Sequence, residues 1–415
     1  MSRIVALCFL LLAAVLGFLH IDSRPVWAPF VVSASPQIDE EVDEVVTSTV
    51  KTKVPPKVAV PISQANWLPD TGAPSVHAAS LIALKDGAVR AFWFAGSREG
   101  APDVSIYSSV YDSHSANWSA PTVVMDRISA EKALSRYIAK LGNPVPSRLP
   151  DGRLQLFFVT VSIGGWAGSS ISAITSDDEG LTWSHPQRLI ASPLLNLSTL
   201  VKSPSVSFTD GLLGLPAYHE WIGRFGEFLR VDAGSVIDKR RMSSGRSAIQ
   251  PLVFVSDAQD ASAYFRQTRI SGLPKQIPVS STQNAGQSWQ QSEDLAIANP
   301  NSAVAGISLK NGTRILALNN IEHGRYRLVL MMSNPKSGQW QTVEVLEDDE
   351  ALPDTQRKEF SYPYMITVDG DDAHLAYTWD RKKIRHRYFS GAWLKHAFSK
   401  MQTQEVEVQR SEAQQ

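Results

Sequence analysis

Between Trp67 and Phe398 the apolar positions fall into short runs, and five of those runs follow an Asp-Gly or Asn-Gly pair. Asp86-Gly87 precedes Ala88-Val89-Arg90-Ala91-Phe92-Trp93-Phe94, and Asp151-Gly152 precedes Arg153-Leu154-Gln155-Leu156-Phe157-Phe158. Asp210-Gly211 precedes Leu212-Leu213-Gly214-Leu215, and Asn311-Gly312 precedes Thr313-Arg314-Ile315-Leu316-Ala317-Leu318. Asp369-Gly370 stands ahead of Ala373-His374-Leu375-Ala376-Tyr377. Such pairs supply the positive φ angles of tight hairpin turns, so each predicts two paired strands. The steps between turns are 65, 59, 101 and 58 residues (86 to 151, 210, 311 and 369). The long step is close to two of about fifty, which predicts a diverged turn near residues 257–261. Six all-strand units of that period predict an all-β fold, a six-bladed β-propeller over residues 67–398. The one helical pattern, residues 128–141, reads as an insertion between the first two blades.

A second repeat sits later in the units. Ser176-Asp177-Asp178-Glu179-Gly180-Leu181-Thr182-Trp183 fits S-x-D-x-G-x-T-W in full, and Thr282-Gln283-Asn284-Ala285-Gly286-Gln287-Ser288-Trp289 fits it with Asn for Asp. Residues 111–118 and 333–340 are eroded copies. Asp and Ser bond turn amides while Trp packs between sheets, so the box is read as structural and Asp178 is not taken as a catalytic acid.

The first 22 residues read differently. Residues 4–19 carry no charge and follow Arg3, the pattern of a signal sequence or an uncleaved signal anchor with everything beyond it across the membrane. Residues 23–66 are acidic and interrupted by Pro55, Pro56 and Pro61, as in a linker, and residues 399–415 read as a disordered tail. The expected location is therefore outside the cytoplasm, anchored in the inner membrane facing the periplasm, or secreted if the segment is cleaved. The only cysteine, Cys8, lies in the apolar segment, so the propeller is predicted to carry neither a disulfide nor a thiolate metal site. Forty Lys and Arg against 41 Asp and Glu leave a net charge of −1, which argues against a nucleic-acid partner. No phosphate loop, zinc motif or EF-hand is present, and no cofactor or metal is predicted.

In a propeller the inner strands line the axis, and their first residues converge at one end. Reading back from each turn gives His77, Asn143, Lys202, Gln250, Asn301 or Ser302, and Tyr362. Asp103, Tyr218, His219, Glu220, Arg266 and Arg381 lie where second strands emerge at the same end. Together they predict a polar pocket.

The two boxes at 176–183 and 282–289 resemble the Asp-box repeats of the sialidase superfamily, in its bacterial BNR-repeat, sialidase-like branch. The likeness runs from about residue 75 to 393. It implies an arginine triad for a sugar carboxylate, an aspartic acid as acid/base, and a tyrosine nucleophile assisted by a glutamate. Asp103 falls where the acid/base stands, Arg266 and Arg325 match the second and third arginines, and Tyr362 matches the nucleophile. Two positions depart. His77 stands where the first arginine belongs, and Gln250, which cannot accept a proton, replaces the assisting glutamate.

Three functions follow from these residues. The first is an exo-acting glycoside hydrolase on a sugar other than sialic acid, with Asp103 as general acid and Tyr362 or Glu220 as nucleophile or base. The second is a polysaccharide lyase on a uronic acid, with His77, Tyr218 and His219 as base and acid and Arg266 or Arg325 neutralising the carboxylate. The third is a non-catalytic, membrane-tethered carbohydrate-binding propeller.

Overall fold

The computed structural model of the protein describes residues 3–22, 26–32, 60–113, 115–192, 196–268, 274–368 and 372–412. Six antiparallel sheets of four or five strands stand around one axis, with a two-stranded ribbon beside the fourth. Blade 1 runs outward from Ser75–Ala83 through Val89–Gly96 and Ser105–Asp112. Blade 2 repeats this with Lys140–Arg148, Leu154–Val161 and Ser169–Ser176, and blade 4 with Ala248–Val255, Ala261–Gln267 and Val279–Thr282. Blade 3 has its inner strand broken into Leu200–Val201 and Val206–Ser207. Blade 5 starts at Ala305–Ser308 and blade 6 at Phe360–Val368. The predicted propeller of six blades is the fold.

Its turns answer the sequence pattern. The diverged turn lies at residues 257–260, where the Asp257 carboxylate accepts from the amides of Gln259 and Asp260 at 2.8 Å each. The Asp369-Gly370 pair lies outside the described residues. The predicted helix is shorter than its pattern. It spans Arg127–Leu134, capped by Asp126 and ended at Ser135, whose φ is +50°. Ile138 and Leu141 are buried in the core between blades 1 and 2 instead, because Lys140 already opens an inner strand.

The boxes perform the structural job their composition implies. Asp178 accepts from the Thr182 amide and hydroxyl at 2.8 and 2.6 Å, while the Ser176 hydroxyl accepts from the Gly180 amide. Asn284 and Thr282 repeat this with Ser288 and Gly286. Each box tryptophan then packs on the preceding blade: Trp118 on His386, Trp183 on Phe92, Trp289 on Phe228 and Trp340 on Tyr264. A box is thus a clasp between neighbouring sheets. Gly286 shows why glycine is needed in it: its φ is +86°, and a Cβ there would stand 2.6 Å from the Phe228 ring.

The chain outside the blades is more ordered than the sequence suggests. The strand Ser63–Trp67, expected in the linker, pairs with Lys383–Phe389 and becomes the outermost strand of blade 6, so both ends of the chain close the ring. Residues 26–32, also expected in the linker, pack against blades 3 and 4, where Trp27 and Phe30 are 3% and 1% exposed. The expected disordered tail begins as a helix, Gly391–Glu412, which buries Leu394 and Met401 against blades 5 and 6. Apolar residues in a polar stretch, too few to register as periodicity, direct all three. The N-terminal helix Arg3–Asp22 exposes Ile4, Leu7, Phe9 and Leu10. Among the described residues no helix is long and apolar enough to cross a membrane.

Blade 6 buries an unusual pair. His374 and His386 stack at 5.2 Å with Nδ1 and Nε2 2.9 Å apart, walled by Tyr111, Trp118 and Tyr388. Burial lowers His374 to about 4 and His386 well below its ordinary value. The unfolded chain binds these protons near pH 6.5 while the folded one refuses them, so stability is complete above that pH and falls as the solution is acidified towards 4. Urea denaturation at pH 7.5 and 4.5 is expected to show a loss of roughly 3 kcal/mol from His374 alone, with more from His386 and His77. Equal midpoints at the two pH values would contradict it.

Candidate active site

The mouth of the axis is built by one backbone device used repeatedly. The ladders of blades 1, 2, 4 and 6 shift register at His77/Ser80, Gly142/Val145, Ile249/Leu252 and Ser361/Tyr364. A residue with positive φ sits in each bulge: Ala78, Asn143, Gln250 and Tyr362, at 52°, 45°, 52° and 51°. Bulges turn side chains out of the alternating pattern, and these sit at equivalent places around one axis. Proline follows Asn143, Gln250 and Tyr362, and having no N–H it loses nothing where the ladder is broken. This strain at non-glycine residues costs about 1–2 kcal/mol apiece, of the kind kept at functional sites.

Tyr362 is at the centre. Its hydroxyl oxygen faces the Arg266 Nη1 at 3.4 Å and the Gln250 Nε2 at 3.5 Å, both donors. Gln250 Nε2 and Asn143 Nδ2 also donate to the Tyr218 hydroxyl oxygen, each at 3.3 Å. Two tyrosines from blades 3 and 6 are therefore joined through one amide from blade 4. Burial pushes the Tyr218 hydroxyl well above its usual value, so it stays protonated. Arg266 is oriented by its Nε donating to Asn301 at 2.7 Å, and Nη1 also reaches Gln250 Oε1 at 3.4 Å. Glu220 is raised by burial, with Arg266 and Arg224 pulling it partly back.

His77 lies on the other side of Tyr362, the rings 4.4 Å apart. It is 1% exposed, neither ring nitrogen has a hydrogen-bond partner, and Glu99 stands 3.9 Å from Nε2. Burial holds it down to about 4, so the ring is neutral at pH 7. Beside it the charges are paired. Glu359 accepts from Arg325 at 3.0 Å, from Arg381 at 2.9 and 3.1 Å, and from Ser361 at 2.6 Å, while Arg381 also meets Glu99. These partners hold Glu359 down to about 2. Among the described residues Arg266 is the guanidinium of this group that has no carboxylate ion pair.

Of the residues read from sequence, the structure brings Tyr362, Gln250, Tyr218 and Arg266 into one hydrogen-bonded cluster, with Glu220 in its field and His77, Arg325 and Arg381 alongside. Three stand elsewhere. The Asp103 carboxylate is exposed and accepts from the Ser97 amide and hydroxyl at 2.9 Å each, closing its own loop, and those bonds lower its pKa. His219 stacks on Phe225 at 4.8 Å and its Nε2 accepts from the Ile222 amide at 3.2 Å, closing the loop after blade 3's second strand. Lys202 is buried beneath the mouth, where its ammonium donates to the backbone carbonyls of Val304 and Pro363 and burial lowers it to about 7. The carboxylates Glu99 and Glu359 escaped sequence reasoning. Glu359, three residues before Tyr362 at the start of an inner strand, carried a signal; Glu99, in the loop before Asp103, carried none.

The BNR repeat-like domain family matches residues 87–375. The chain belongs to that family. Its solved relatives have the same propeller. A protein of unknown function from Dyadobacter fermentans superposes with a TM-score of 0.63 at 12% identity, covering 79% of this chain and 99% of that one. The NanB sialidase of Streptococcus pneumoniae gives 0.60 at 13%, covering 77% and 69%. A Trypanosoma rangeli sialidase in complex with sialic acid gives 0.59 at 12%, covering 84% and 62%. At such identities the likeness is one of fold. No curated protein matches the sequence.

Proposed function

We infer that this BNR-repeat propeller is a glycoside hydrolase acting on an anionic sugar of a glycan outside the cytoplasm. The observation that carries the reading is the Tyr362 hydroxyl set 3.4 Å from Arg266, a guanidinium with no carboxylate of its own. Donors on both sides of a phenol oxygen stabilise the charge it gathers as its proton leaves, which substitutes for the missing glutamate. Tyr362, part-exposed at the mouth, gives its proton to solvent water as its oxygen attacks the anomeric carbon, the glycosidic C–O bond breaks, and Glu220, raised by burial, protonates the leaving oxygen and is left as a carboxylate. Water, giving a proton to the Glu220 carboxylate, then attacks the same carbon, and the departing Tyr362 phenolate takes a proton back from solvent. Arg266 holds the sugar carboxylate; Arg325 and Arg381, occupied by Glu359 and Glu99, shape the wall beside it. Asp103, exposed and with a lowered pKa, is poorly suited to the acid role. The relatives that are sialidases support the class of reaction, and the apolar helix at residues 3–22 supports export and retention at a membrane.

A polysaccharide lyase is a second reading, favoured by the neutral, unbonded His77 ring against Tyr362, since an uncharged imidazole and two phenols can move a proton on and off a uronate. One panel separates them. The protein is incubated with sialosides, aryl-glycosides of neutral sugars, aryl-glucuronides and uronate polysaccharides, following reducing ends and ultraviolet absorbance together. New reducing ends on carboxylated substrates without absorbance are expected. Absorbance at unsaturated products would install the lyase, and silence with retained sugar binding would leave a receptor.

A further inference from the structure

We propose that the propeller is held with the end that carries the Asp210-Gly211 and 257–260 turns against the bilayer, so that the mouth faces away from the membrane and takes glycans of the surrounding space rather than headgroup sugars of its own membrane. The proposal rests on the reading of the N-terminal helix as membrane-held and on the site reading above. Its foundation is the docking of residues 26–32.

That segment is part of the propeller. Phe30 forms a β-bridge with Phe208, and its amide donates to the Ala258 carbonyl at 2.8 Å. The Val31 amide donates to Ser207 at 2.8 Å, and the Thr209 amide to Pro29 at 2.9 Å. Trp27 donates to Asp238 at 2.9 Å, meets Phe208 edge-on at 5.6 Å, and lies under the Arg230 and Arg240 guanidinium groups. Phe30 stacks on Phe208 at 5.2 Å.

The backbone partners mark one end of the molecule. Phe208 and Thr209 belong to the Asp210-Gly211 turn, and Ala258 to the 257–260 turn. Inner strands run from the mouth to these turns, as Ala248–Val255 does from Gln250 to Asp257. The plug is therefore at the end opposite Tyr362. The N-terminal helix ends at Asp22, and three residues separate it from Val26. So short a stretch spans at most about 14 Å fully extended. The helix presents Ile4, Leu7, Phe9, Leu10 and Leu11 at 58–73% exposure, apolar surface that a bilayer would cover. A free linker to residue 66 would let the propeller tumble; a plug at residue 27 does not. With strands such as Val89–Gly96 of eight residues rising roughly 26 Å, the mouth stands about 25–40 Å from the lipid.

The test uses the full chain in vesicles of phosphatidylethanolamine and phosphatidylglycerol. With Cys8→Ser as background, a single labelled cysteine is placed at Ala258→Cys beside the plug or at Ile163→Cys, 82% exposed at the mouth end of blade 2. Energy transfer to a short-range acceptor lipid is expected to be at least about threefold greater from position 258. The difference should vanish in Trp27→Ala/Phe30→Ala, whose propeller is checked by circular dichroism; if that variant does not fold, Trp27→Ala alone is used, expected to narrow the difference, and an unchanged difference in a folded plug variant overturns the role of the plug. Equal transfer from both positions in vesicle-bound protein, or more from position 163, overturns the orientation. Failure of the chain to sediment with vesicles overturns the membrane reading beneath it, while the glycan panel judges the site independently.

Discussion

Tyr362→Phe is expected to lower turnover of a carboxylated glycan substrate by at least about a thousandfold, with sugar affinity changed severalfold at most. The ring remains in its bulge at the same positive φ and against His77, so the mouth keeps its shape. What is lost is the oxygen between Arg266 and Gln250. The Gln250 amide keeps Tyr218 as acceptor and Arg266 keeps Asn301, so the cost to stability is small, about 1–2 kcal/mol. A loss of kcat with KM retained is the signature of a group acting in the transition state. Single-turnover and steady-state kinetics on the panel's best substrate measure it. A residual rate within tenfold of the native one would remove Tyr362 from the chemistry and return the nucleophile to Glu220. A covalent glycosyl adduct on Tyr362, trapped with a slow fluorosugar and located by mass spectrometry, would be the positive counterpart.

Arg266→Lys is expected to weaken binding of carboxylated sugars by roughly 10- to 100-fold, or about 1.4–2.7 kcal/mol, while neutral analogues of the same sugar lose little. Lysine keeps the charge. It has no planar fork, however, and cannot at once donate to Asn301, lie beside Tyr362 and present two parallel N–H groups to a carboxylate. The contrast with Arg325 and Arg381 sharpens the expectation, since Glu359 and Glu99 already occupy those guanidinium groups. Titration calorimetry of Arg266→Lys and the native protein with paired acidic and neutral ligands gives the comparison. Equal loss for both ligands would mean that Arg266 serves only to hold Gln250 and Asn301 in place.

Most of the architecture is legible in the sequence. Five Asp-Gly or Asn-Gly pairs, one full box and its near-copy are local instructions: a turn needs positive φ at its own residues, and a box closes on itself within seven positions. Six units of that kind leave a propeller as the way to bury their apolar faces. The repeat likewise put Tyr362 and Gln250 at the starts of inner strands and Arg266 at the end of a second strand, positions that meet at one end of a propeller whatever their side chains are. The bulges, too, leave a trace in the repeated proline of Asn143-Pro144, Gln250-Pro251 and Tyr362-Pro363.

Whether each of those polar residues serves the pocket, its own loop or the scaffold was decided by contacts between residues far apart in the chain. Asp103 and His219 stand at the right positions along their blades, and each spends its hydrogen bonds on a neighbour a few residues away. Lys202 faces the axis and is consumed by carbonyls from blades 5 and 6, and Glu359 and Glu99 engage two of the three arginines from different blades. The plug at residues 26–32 is the same lesson outside the site. Trp27 and Phe30 carry no repeat, turn or period, and their place exists only once blades 3 and 4 are side by side. Sequence determined the units and their order, because those depend on interactions within some fifty residues. The charge balance of the mouth and the seat of the N-terminal segment depend on which blades meet, and only the closed ring settles that.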